Sequence, residues 1–255
     1  MWRDIGLLYR MELLPSLRTP AWIAIGLTQP ALYLLLFGPL TERIAATIPG
    51  YPPGGAWVVF TPALIVQLAL FSSSFTGFGL LADLEGGVLE RLRTTPASRI
   101  ALLLGKVLTN ATHTLVQAVL IILLAVLVFD LRAPFAGVLL VLAVAALLAV
   151  TLSSVSQALA LRLRDEDAFL GLLNTVLLPL LLLSGILIPI TSGLAPDWLV
   201  TASSVNPLTH VVDTGRAGFR GDFALAETAT GGLLLLGLAA AALWWGTRTF
   251  HRENV

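Results

Sequence analysis

LADLEGGVLERLRTTPASR, residues 81–99, is a charged island between two long apolar stretches. Trp57 to Leu81 holds no Asp, Glu, Lys or Arg, and Ile100 to Phe129 holds only Lys106. The island carries Asp83, Glu85, Glu90, Arg91, Arg93 and Arg99. Leu84, Val88, Leu89 and Leu92 recur at helical spacing, which predicts a short amphipathic helix over 84–93. Thr94-Thr95-Pro96 ends it, because Pro cannot continue a helix and biases its predecessor out of the helical region. Ser98 is placed to cap the next helix. A short helix between two membrane spans is a contact point for something outside the bilayer. An ordinary solvated loop with arginines on the cytoplasmic side would share the same charges.

The apolar stretches extend along the whole chain. Hydrophobic residues make up 57% of the 255 residues and charged ones 12%, against about a quarter in soluble domains. This is an all-α integral membrane composition. Six spans of about 20 or more residues, long enough for a hydrocarbon core of about 30 Å, are predicted at 21–40, 56–81, 100–129, 135–161, 168–190 and 225–246. Residues 1–18 read as an amphipathic helix in the membrane interface, with Trp2, Ile5, Leu8 and Leu13 on one face; no cleavable signal peptide is expected there. Thr41 to Gly55 reads as a loop dense in breakers. Residues 191–224 are apolar but divided by Pro196, Asn206-Pro207 and Gly215. Two short helices dipping into the membrane edge and returning would fit this segment. One transmembrane domain over 1–255 accommodates all of it.

Six spans place both termini on one side. That side holds Arg3, Arg10, Arg18, Arg91, Arg93, Arg99, Arg162, Arg164, Arg248 and Arg252, against Arg43, Arg132, Arg216 and Arg220 opposite. The positive-inside rule therefore predicts cytoplasmic termini and a cytoplasmic island. Segment 191–224 is then external.

No catalytic site, no metal cluster and no cofactor site emerges. Gly105-Lys106 is followed by Val107, and no glycine stands where a phosphate loop needs one. His113, His210 and His251 are scattered, and there is no cysteine. A net charge of zero gives no basic signature for nucleic acid. Carboxylates sit at span ends, which weakens a proton- or sodium-coupled secondary transporter. Asn110, His113, Thr114 and Gln117 share one helical face of the third span. They are candidates either for the wall of a transport path or for hydrogen bonds between helices.

The island and its continuation, LADLEGGVLERLRTTPASRIALLLGKVL, resemble the cytoplasmic loop of ABC-2-type exporter permeases. The resemblance rests on Glu85, Gly87, Leu89, Glu90, Arg91, Leu92, Thr95, Pro96, Ser98, Arg99, Gly105 and Lys106, with Val88 where Thr is usual. LLLSGILIPITSGLAPDWLVTASSVNPLTHVVDTGR resembles the second hallmark of the same family through Ser184, Gly185, Pro189, Pro196, Trp198, Asn206, Pro207, Leu208, Thr209 and Asp213. The resemblance spans essentially the whole chain, and its nearest flavour is the daunorubicin-resistance-like group. It implies an interfacial N-terminal helix, a cytoplasmic coupling helix between spans two and three, and an external re-entrant hairpin between spans five and six. It implies a bacterial plasma (inner) membrane location, a second permease chain and separate ATPase subunits that bind ATP and Mg, with no cofactor on this chain. Glu85, Leu89, Glu90, Arg91, Leu92, Arg93 and Arg99 would then meet the ATPase. Pro189, Trp198, Asn206, Pro207 and Asp213 would belong to an external gate. The implied activity is export of a hydrophobic or amphipathic drug or lipid-like substrate. A glycan or lipid-linked polymer exporter of the same fold, and a secondary transporter using no ATP, are the alternatives.

Overall fold

The computed structural model describes residues 2–19, 21–47, 55–87, 99–223 and 226–252, and among them there is no strand. The helices are α1 (Trp2–Arg18), α2 (Ala21–Thr47), α3 (Ala56–Ser74), α4 (Thr76–Glu85), α5 (Arg99–Phe129), α6 (Phe135–Leu163), α7 (Glu166–Leu183), α8 (Asp197–Val205), α9 (Pro207–Arg220) and α10 (Ala226–Arg252). Six stretches are long and apolar enough to cross a membrane: α2, α3 with α4, α5, α6, α7 and α10. The protein is a multi-pass membrane protein. The end of the bundle that carries α1 and the roots of the 81–99 stretch is called here the island end.

Span two, formed by α3 and α4, is the core: 78% of its most apolar stretch is buried, against 17% for spans one and five. Span four, α6, packs against α3, α4, α5, α7, α9 and α10. Spans one and five therefore lie at the edge, with apolar faces that this chain does not cover. Ile25, Leu36, Leu178 and Leu182 are exposed there.

Span two is broken at Phe75 rather than continuous. Ser156 of α6 supplies what the break removes. Its hydroxyl donates to the Ser74 carbonyl at 2.6 Å and accepts from the Gly77 N–H at 2.8 Å. Thr76 and Ser153 pair hydroxyls at 3.1 Å beside it. Gly77 is required, since a Cβ there would lie 2.8 Å from the Ser156 carbonyl oxygen and would collide with the Phe169 ring. Buried polar backbone in a bilayer has to be satisfied from within the protein.

Four sequence-based boundaries change. The helix of span one runs on to Thr47, so residues 41–47 are helical and not loop. The helix of span six continues to Arg252, beyond the expected end at 246. Span five ends at Leu183 instead of Ile190. There Ser184 turns its hydroxyl back onto the Leu181 carbonyl at 2.6 Å and accepts from the Ile186 N–H at 3.3 Å, competing with further helix. Finally, Leu84 and Glu85 belong to α4, not to a new helix over 84–93. Gly86 closes α4 and Gly87 takes φ 64, a left-handed turn that glycine adopts without strain. The rest of that expected helix lies outside the described residues.

Segment 191–224 does contain two short helices, α8 and α9. Asn206 caps α9, its Oδ1 accepting from the Leu208 N–H at 3.0 Å, and Pro207 takes the first helical position, where a missing N–H costs nothing.

Candidate functional site

At the island end, three elements meet on one ammonium. Lys106, seven residues after the start of α5, places Nζ 2.6 Å from Asp83 of α4 and 3.0 Å from Glu12 of α1. Its side chain is 12% exposed and those of the carboxylates about a third, so the cluster is half-shielded from water. Asp83 and Lys106 stand on the two helices from which the island springs, so the island's two roots are tied to each other. Glu12 ties the same point to the N-terminal helix.

α1 is held to α5 beyond that cluster. Ile5 and Leu8 are buried in the same apolar cluster as Leu103 and Phe250. Gly105 lets the backbones close up, with Leu8 and Tyr9 atoms 3.1 to 3.3 Å from where a Cβ would stand. Tyr9 pairs with Thr112 at 3.0 Å and Ser16 with His113 at 2.8 Å. Trp22 donates to the Ser16 carbonyl at 2.7 Å and stacks on His113 with ring centroids 4.0 Å apart. α1 is thus a packed part of the bundle as well as an amphipathic helix.

Of the residues expected to meet a partner, Glu85 is exposed at the last position of α4, and Arg99 opens α5. Leu89, Glu90, Arg91, Leu92 and Arg93 lie outside the described residues. The polar face of α5 divides. Asn110 donates to Ser73 at 2.8 Å and Thr114 pairs with Ser72 at 3.2 Å, both toward span two. His113 and Gln117 turn toward α1 and α2, where Gln117 donates to the Trp22 carbonyl at 3.2 Å. All four bond within the chain.

At the opposite end, the residues around the second sequence hallmark satisfy the truncated end of α7. Asn206 donates to the Leu180 carbonyl at 2.8 Å. Ser203 and Thr209 both donate to Leu183, at 2.8 and 3.0 Å. These are among the orphan carbonyls every helix leaves at its C-terminus. Arg216 of α9 completes the arrangement. It is 5% exposed and donates to the Gly185 carbonyl at 2.7 Å and the Val59 carbonyl at 3.2 Å, while contacting Asp213 at 3.3 Å. One guanidinium so joins α9, the start of span two and the turn after span five. Sequence reading counted Arg216 only as an outer charge and missed this. The signal was an arginine three residues after Asp213 on the face shared by Val212 and Phe219. Pro189 is buried beside this region, whereas Trp198 is 70% exposed and touches the cluster with no hydrogen bond.

A group of three or more His, Cys, Asp or Glu able to hold a metal is absent among the described residues. The arrangement is mechanical: ties between helices at both ends of an apolar bundle.

The comparisons with known proteins agree with this architecture. The ycf38 product of Cyanophora paradoxa, described as a transport permease, is 28% identical over 197 residues, covering 77% of this chain and 67% of that protein. The ycf38 product of Porphyra purpurea is 27% identical, covering 83% of this chain and 72% of its own length. The daunorubicin resistance ABC transporter permease protein DrrB1 of Streptomyces coeruleorubidus is 28% identical over 159 residues, 62% of this chain and 55% of that protein. The family model for the ABC-2 type transporter matches residues 3–219, which takes in α1, the island, the clamp on Lys106 and the Arg216 cluster. The chain belongs to the ABC-2 type transporter family, as a permease subunit of the kind that works with ATP-binding-cassette ATPase partners.

Proposed function

We propose that this permease exports a hydrophobic or amphipathic substrate, drug or lipid-like, from the cytoplasm or the inner leaflet of a bacterial plasma membrane. Both termini and the island face the cytoplasm, where Lys and Arg are concentrated. Two permease chains form the path between them and two ATPase subunits carry ATP and Mg. The uncovered apolar faces of spans one and five suit burial against a second chain or lipid.

The observation that carries the mechanism is the clamp of Lys106 on Asp83 and Glu12. The island, docked on the ATPase through Leu89, Glu90, Arg91, Leu92 and Arg93 together with Glu85 and Arg99, is rooted on both sides in that clamp. Closure of the ATPases on ATP moves the island as a lever. The clamp passes the motion to spans two and three together and to α1, instead of letting one root slide past the other. At the far end, Pro189, Trp198, Asn206, Pro207 and Asp213, with Arg216, make up the external gate. Its donors hold span five against span two when closed.

Reconstitution of the permease with its ATPase in vesicles tests this. Daunorubicin, taken from the name of one relative, serves as the fluorescent cargo. ATP-dependent movement of the drug, lost on Glu90→Lys or Arg91→Glu with basal hydrolysis retained, is the expected result. Hydrolysis that never depends on the permease, or export unchanged in both variants, would overturn the coupling role.

A further inference from the structure

A cleft of about 210 Å³ lies between spans one and two, in the middle of the membrane-crossing region. Gln67 forms part of its wall about 16 Å along α3, half-way through about 30 Å of hydrocarbon. This side chain is 3% exposed, and its Oε1 has no hydrogen-bond partner. Such a group is costly to bury in an apolar medium, where no water can satisfy it.

A second acceptor belongs to a residue lining the same space, for a different reason. Pro30 is buried in the interior of α2 and has no N–H. The carbonyl of Gly26, four residues earlier, therefore loses its helical donor. Both Gly26 and Pro30 line the cleft. Gln117 abuts Gly26 from α5, and its own Oε1 is likewise buried without a partner. Gln29 stands exposed at the mouth, an amide on the face of a span that lipid or a second chain must meet. The remaining wall is Ile25, Leu68, the Phe71 and Phe75 rings, near-parallel with centroids 6.4 Å apart, and Ser72, whose hydroxyl is already paired with Thr114 at 3.2 Å.

From this juxtaposition we propose that the cleft between spans one and two binds the hydrogen-bond-donating end of an amphipathic small molecule, a hydroxyl or amine N–H, with its apolar part along Phe71 and Phe75. The inference rests on the exporter reading for its biological meaning and supplies that reading with a substrate class. A buried acceptor in hydrocarbon selects donors: a molecule without one leaves the Gln67 amide oxygen unpaired, whereas a hydroxyl or N–H can donate to it. The volume is below the roughly 300 to 1,000 Å³ of drug-sized pockets. It therefore takes one end of a larger substrate, or a whole molecule the size of an eight-carbon alcohol. The exposed mouth at Ile25 and Gln29 lets the rest of the molecule lie outside.

The test is photolabelling of the nucleotide-free permease–ATPase complex in lipid nanodiscs with 3-azioctanol and, in parallel, 3-azioctane, with labelled peptides read by mass spectrometry. The alcohol is expected to label the peptides around Gly26 and Gln67–Phe75 about two- to tenfold more than the alkane, the range set by one net hydrogen bond. Gln67→Leu removes one acceptor, and Pro30→Ala gives the Gly26 carbonyl its helical donor back. Each should lower the alcohol-to-alkane ratio toward one. Pro30→Ala introduces a better helix former, so its loss of labelling does not come from misfolding. Equal labelling by both probes in the unaltered chain overturns the proposal, as does a ratio untouched by both variants, or alcohol labelling concentrated on other spans. Labelling needs no ATP turnover, so its failure leaves export intact, and failed export with selective labelling sinks only the exporter reading.

Discussion

Lys106 and Asp83 stand 2.6 Å apart across the two helices that frame the island, although 22 residues of chain separate them, among them those proposed to meet an ATPase. An ion pair at the two roots of a loop makes the loop a lever with one pivot. Replacing Lys106 by Met leaves Asp83 and Glu12 facing each other without a cation, half-shielded. The expected cost is about 1.5–3 kcal/mol, the range for hydrogen bonds to charged groups. Thermal unfolding in detergent measures it. Asp83→Asn should cost less, and the double variant less than the sum of the two, because both remove the same bond. Additive losses would mean that the pair is not coupled.

The break in span two makes a second prediction. Ser156→Ala strands the Gly77 N–H and the Ser74 carbonyl in a buried site, each worth about 1–3 kcal/mol when left unpaired. Gly77→Ala meets the Phe169 ring and the Ser156 backbone and should be at least as damaging. Comparing melting temperatures of the two purified variants with the parent checks both. A Ser156→Ala variant as stable as the parent would show that the hydroxyl carries nothing.

Arg216 sets the third. Arg216→Met removes donors to Gly185 and Val59 and leaves their carbonyls unanswered, at a cost of about 1–3 kcal/mol for each buried acceptor left unpaired. Arg216→Lys should recover little of it, since an ammonium lacks the planar fork that reaches two carbonyls at once. Hydrogen exchange read over 197–220 is expected to rise in both variants. Exchange that rises in Met but not in Lys would mean that charge alone suffices.

The chain contains no cysteine, so single cysteines report membrane sidedness without background. A cysteine at Thr94 should react with an impermeant maleimide only after the cytoplasmic face is opened, and one at Ser192 should react from outside. The reverse pattern would invert the orientation drawn from the arginines.

Much of the fold is legible in the sequence because hydropathy is a local property. Spans two, three, four and six begin within a residue of where their apolar runs begin, and α1 matches its amphipathic pattern. Of the features that escaped, some are local stop signals outweighed by hydropathy, and others depend on distant residues. LLLLSGILIPI reads as an apolar run, and span five ends inside it where Ser184 turns its hydroxyl onto Leu181 and Gly185 takes a left-handed φ of 68. SSSFTG reads as a stretch of small packing residues, and the break at Phe75 exists because Ser156, 79 residues after Gly77, completes it. Gly86-Gly87 was a local stop signal that an apolar period at Leu84, Val88 and Leu92 outweighed in the sequence reading. Lys106 was visible as part of a family pattern, but its partners Glu12 and Asp83 come from two other helices and no spacing announces them. The polar face on α5 was legible as a face. Its division between span two and α1 follows from packing alone.

Span five is 18 residues long, about 27 Å of helix, a few ångströms short of an average hydrocarbon core. Its outer carbonyls bond to Asn206, Ser203 and Thr209 instead of water, so its end can lie below the lipid headgroups. A bilayer with longer acyl chains must then thin around one edge of the protein or tilt its shortest helix, at a fraction of a kcal/mol per ångström. Acyl-chain length, with no change in any residue, becomes a dial on how tightly the end of span five is held against the start of span two.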